Sequence, residues 1–169
     1  MNALHRRIAA AVLVASLLAL VPATAEAATK TYRFSISGTE VSATSTTGRF
    51  VGAASGSAVG TWYAEVNHDR LGGGDGAQVA IQSGGSFGMA LAQAEPAYMV
   101  SGQFSGGTIT TINSSTSCTN QVYKVEGDLK NVSVTGTGHF AATLTHHRRS
   151  VLGRCWLYAA TVSGAVTLG

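Results

Sequence analysis

Tyr32, Phe34 and Ile36 alternate with Thr31, Arg33, Ser35 and Ser37, giving an apolar face and a polar face at a period of two. That period belongs to a β-strand with one side buried. The alternation returns at Trp62, Ala64 and Val66, at Ala77, Val79 and Ile81, at Phe87, Met89 and Leu91, and at Tyr123 and Val125. Short runs between these stretches read as turns, because glycine takes backbone angles that other residues avoid: Gly38-Thr39, Thr47-Gly48, Ser55-Gly56, Ser83-Gly84-Gly85 and Ser105-Gly106-Gly107. The stretch 67–76 is the longest expected loop, Lys130 marks a further turn, and 93–97, with Pro96, is a connection. About nine or ten short strands at this spacing predict an all-β domain, either an antiparallel barrel or a two-layer sandwich.

The last two strands permit a sharper expectation. Phe140, Ala142 and Leu144 share one face, as do Trp156, Tyr158, Ala160 and Val162, and both sets must reach the same core. A three-residue loop, Val151-Leu152-Gly153, satisfies that parity, pairing His146 with Tyr158 and Arg148 with Trp156. His146 and Arg148 then lie on the inner face near the loop, with His147 and Arg149 turned outward.

Composition supports the strand reading: the chain carries 21 glycines and 2 prolines and is rich in Ser, Thr and Val, which disfavours helices. The exception is the start. His5, Arg6 and Arg7 precede an apolar run from Ile8 to Val21, followed by Ala25-Glu26-Ala27. The run is about 14 residues, short of the ~20 that cross a bilayer as a helix, and its small-residue close suits signal peptidase. Residues 1–27 are expected to be a secretory signal and 28–169 a single β domain, secreted or in the cell envelope after cleavage near Ala27. No transmembrane segment is expected in the processed chain.

The net charge of +3 changes little. The leader takes Arg6, Arg7 and Glu26 with it, leaving nine basic and seven acidic residues, without the clustered Lys and Arg of a nucleic-acid binder. The two cysteines, Cys118 and Cys155, lack metal-site spacing. In an exported chain they are expected to form one disulfide, and closing that loop is worth roughly 4 kcal/mol on the chain-entropy model.

His146-His147-Arg148-Arg149 is the one dense cationic run. Such a run is most often a solvated strand end. Its functional reading is a ligand site of His146, Arg148, Trp156 and Tyr158 at a barrel mouth, with Arg148 stacked on Trp156. Asn67-His68-Asp69 and Asp75 offer oxygens, but their order matches no calcium loop, so no metal is expected. No Gly-x-Ser-x-Gly elbow, His-Glu-x-x-His helix or P-loop occurs, which weakens an enzymatic reading, and no cofactor is implied.

The run Thr47-Gly48-Arg49-Phe50-Val51-Gly52-Ala53-Ala54-Ser55-Gly56 resembles the Gly-rich hairpin of exported bacterial β-barrel proteins related to allene oxide cyclase and dirigent proteins. The resemblance implies an antiparallel barrel. None of that family's catalytic positions has a match here, so it implies no cyclase activity. Three functions stay open: an exported non-catalytic barrel or sandwich binding a small molecule or envelope component, a barrel isomerase or cyclase of the allene oxide cyclase type, and a structural envelope or interaction module. The second requires at least two buried titratable side chains converging on a cavity.

Overall fold

The structure, a computed structural model, describes residues 30–92, 98–114 and 117–169; the expected leader and the connection at 93–97 lie outside the described residues. Nine strands follow one another: β1 (Tyr32–Ala43), β2 (Thr47–Gly56), β3 (Gly60–His68), β4 (Gln78–Gln82), β5 (Ser86–Leu91), β6 (Tyr98–Asn113), β7 (Gln121–Val132), β8 (Gly136–Val151) and β9 (Arg154–Leu168). Each pairs antiparallel with its neighbours in a ring that closes where β9 meets β1, with Tyr32 opposite Leu168 and Thr39 opposite Thr161. The fold is therefore a closed barrel, not a sandwich.

β4 and β5 share one place in that ring. Between β3 and β6 they lie end to end, β4 against Asn67 and His68 and β5 against Gly60 to Ala64. The ring thus has eight positions, and an even number is what lets a meander of antiparallel strands close on itself. Eight positions also give a lumen just wide enough for side chains to fill. Among the described residues Trp62, Phe87, Met89, Phe104 and Phe140 occupy the middle of it, each 2% exposed or less. Phe140 packs tilted against Trp62 and edge-on to Phe104, at centroid distances of 5.9 and 5.8 Å.

Several glycine runs expected to turn the chain do not. Gly38-Thr39 lies inside β1, and Thr47-Gly48 begins β2, so the run Thr47 to Gly56 is one strand and no hairpin. Ser83-Gly84-Gly85 carries the chain straight on from β4 to β5, with Gly84 N–H donating to Phe104 O and Phe104 N–H to Gly85 O. Ser105-Gly106-Gly107 falls inside β6 at a bulge, and Lys130 precedes another in β7, where Asn131 has a φ of 54°. Close approach explains the first of these. Gly38 faces Gly52 across β1 and β2, and a Cβ on Gly52 would come within 2.7 Å of the Trp62 indole nitrogen. The indole lies where a side chain on Gly52 would stand and donates its N–H to the Ser37 carbonyl at 3.1 Å. Glycine is required here by packing and not by a turn.

The β8–β9 hairpin is longer than the barrel. β7 stops pairing with β8 at His146, and β1 stops pairing with β9 at Thr161. Beyond those points the two strands pair with each other only, forming a finger at one pole. The expected disulfide is present: Cys118, in the β6–β7 connection, is bonded to Cys155 in the finger, with their Cα atoms 5.4 Å apart.

Candidate functional site

The polar pole, where the finger rises, holds the interior ionisable groups. In β1 the alternation Phe34, Ile36, Gly38 runs unbroken to Glu40 and turns its carboxylate inward; in β8 Phe140, Ala142 and Leu144 lead in the same way to His146. The His146 Nε2 lies 2.9 Å from the Glu40 Oε2, with the two side chains 14% and 8% exposed. Tyr123 stands edge-on to the His146 ring at 5.3 Å. Burial pushes its phenol above the ordinary value; nearby Arg148 opposes that shift and Glu40 reinforces it.

His68 completes the group. It ends the inward series Trp62, Ala64 and Val66 in β3 and is buried. Its Nδ1 lies 2.7 Å from the Asp69 carbonyl oxygen. A carbonyl only accepts, so the His68 Nδ1 carries the proton in this contact. Glu40, His68 and His146 all line one small cavity of about 60 Å³. Such a space accepts a few waters at most. Among the described residues no three His, Cys, Asp or Glu side chains are arranged to hold a metal ion.

The four residues expected to form a ligand site separate. His146 is inside, as its parity demands. A bulge between His147 and Arg148 shifts the finger's register, so Arg148 faces Leu157 and Arg149 faces Trp156, while His146 pairs with Ala160 and not with Tyr158. The loop has two residues, Leu152 and Gly153, with φ of 51° and 74°. Both values are positive, as a type I′ turn requires, and its twist matches that of the flanking strands. Arg149, not Arg148, sits over an aromatic ring, that of Tyr158 at 5.4 Å. Trp156 and Tyr158 are 54% and 57% exposed. They lie beyond the barrel rim, where the rule that apolar faces point into the lumen no longer applies.

Alternation places Tyr123 inward, but nothing in the sequence joins Glu40, His68 and Tyr123 to His146 as one site. The signal for Glu40 was present, since alternation carried past Gly38 points it inward; taking Gly38-Thr39 as a turn hid it. β3 runs on through His68, one step further along the same count than the loop expected at 67–76 allows.

The opposite pole has a different character. There a cavity of about 360 Å³ is lined mostly by apolar side chains, among them Tyr32, Phe34, Ala58, Leu91, Val100 and Leu168. That volume falls within the range of about 300–1,000 Å³ typical of small-molecule sites. Polar groups occur at Ser57, whose Oγ accepts the Arg33 N–H at 2.9 Å, and at the hydroxyls of Tyr32 and Tyr98. The aromatic layer of Trp62, Phe104 and Phe140 separates this cavity from the Glu40–His146 pair. Compared with protein-family models, curated proteins and solved structures, the chain matches none.

Proposed function

We propose that this chain is an exported, non-catalytic β-barrel that holds a small apolar molecule in the cavity between Tyr32 and Leu168. The observation that carries the reading is the contrast between the two poles. The apolar cavity has the volume of a ligand site, whereas the space that Glu40, His68 and His146 share is about 60 Å³ and too small for an organic substrate. Few directional contacts line the larger cavity, so the ligand is recognised by shape and burial, with Ser57 or a tyrosine hydroxyl orienting one polar atom. Ala58→Phe fills the cavity without touching the other pole. An environment-sensitive apolar dye should bind the parent protein at one site and lose at least tenfold in affinity in the variant; equal binding by both would refute the assignment.

A second reading has a specific observation in its favour. Glu40, His146, His68 and Tyr123 are the converging, largely buried titratable groups that a barrel isomerase requires. It needs the small cavity to open to several times its volume.

A further inference from the structure

Among the described residues, the finger at the polar pole presents the largest group of exposed apolar side chains close together in sequence. Val151 is 40% exposed, Leu152 99%, Trp156 54%, Leu157 52% and Tyr158 57%. Neighbouring strand ends add Val41 at 56% and Ile112 at 52%. Leu152 stands at the outermost turn, and the aromatic rings stand nearer the barrel. Arg148, Arg149 and Arg154 are interleaved with them, and no Asp or Glu follows Asp128 anywhere in the chain. At the same pole Glu40 is paired with His146, while Asp75 keeps its charge as the acceptor of the Ser114 amide at 2.6 Å.

A leucine at the tip, Trp and Tyr behind it and cations alongside form the layering of a segment that lies in a lipid interface: aliphatic carbon deepest, amphipathic rings at headgroup depth, and arginine on the phosphates. A soluble polyanion would satisfy the arginines and leave Leu152 and Leu157 in water. We propose that the β8–β9 finger docks on an anionic lipid surface, inserting Leu152 and Trp156 while Arg148, Arg149 and Arg154 contact headgroup phosphates. The docking is independent of any ligand in the barrel. The disulfide to Cys118 serves it by holding a two-stranded ribbon that is marginal on its own.

Tryptophan fluorescence tests this directly, because of the chain's two tryptophans Trp62 is buried and Trp156 exposed. The full chain is titrated with vesicles of phosphatidylcholine alone or of equal parts phosphatidylcholine and phosphatidylglycerol, with and without brominated acyl chains. Docking predicts a blue shift and bromine quenching on the anionic vesicles, weakened by salt and absent in Trp156→Phe. Replacing all three arginines by glutamine should weaken binding about a hundredfold, at about fivefold each. Leu152→Asp should abolish quenching while preserving the turn, since Asp-Gly is a preferred type I′ pair. Equal quenching on neutral vesicles, or binding without quenching of Trp156, overturns the proposal. So does a blue shift that depends on protein concentration alone, which would assign the finger to a second copy of the chain.

Discussion

Glu40 and His146 come from opposite ends of the chain and meet only because the barrel closes. Each is largely removed from water, so each depends on the other for its hydrogen bond. Glu40→Leu alone is expected to destabilise the fold by about 2–4 kcal/mol, because it leaves the imidazole without its partner. Adding His146→Leu should recover most of that loss. A double-mutant cycle in denaturant checks this, and additive losses would show that the pair carries no coupling. Tyr123 supplies a pH dependence. Its folded-state phenol ionises above the ordinary 10.0 because burial penalises the phenolate. Between the unfolded and folded values the unfolded chain binds fewer protons, so this contribution is fully present below about pH 10 and is lost as pH rises above it. Alkaline unfolding monitored by circular dichroism should be less steep in Tyr123→Phe than in the parent protein.

At the scale of the element, strand faces were legible and strand ends were not. Trp62, Ala64 and Val66, and equally Phe87, Met89 and Leu91, point inward as alternation requires, because a period of two follows from the backbone alone. Glycine was the misleading signal. It permits a turn, but it equally permits the close packing of Gly38 on Gly52 and the bulges of β6 and β7, and only the neighbouring strand distinguishes these uses. The finger shows the same limit, since a bulge between His147 and Arg148 displaced the expected pairing. Cross-strand pairing, the disulfide and the bond from the Arg148 N–H to the Asn120 Oδ1 at 3.2 Å hold this ribbon. Reduction of Cys118–Cys155 should therefore accelerate amide exchange in residues 147–158 well before it affects β1 or β8 below His146. Exchange that rises uniformly across the chain would show instead that the bridge supports the whole barrel.

For the whole molecule, closure is the decisive property. Among the described residues, strands that pair are adjacent in sequence or, around β4 and β5, one strand apart, except β1 with β9, which joins the two ends of the described chain. The aromatic layer beneath that seam couples the staves into a single cooperative unit. Phe140→Ala should cost about 3–5 kcal/mol, since it removes the ring that contacts both Trp62 and Phe104. Urea unfolding followed by fluorescence and by far-ultraviolet circular dichroism should still give coincident transitions, and separated ones would show that the two poles unfold independently. Alternation along the chain was enough to establish strands, their inner faces through the middle of the barrel and an all-β class, and two lone cysteines gave the disulfide, because these depend on local geometry and on which groups water rejects. Barrel closure, the meeting of Glu40 with His146, the apolar cavity between Tyr32 and Leu168, and the exposure of Trp156 were decided by the tertiary structure. Each depends on register and on where a strand outruns its neighbours, and those are properties of pairs of strands which no single stretch of sequence contains.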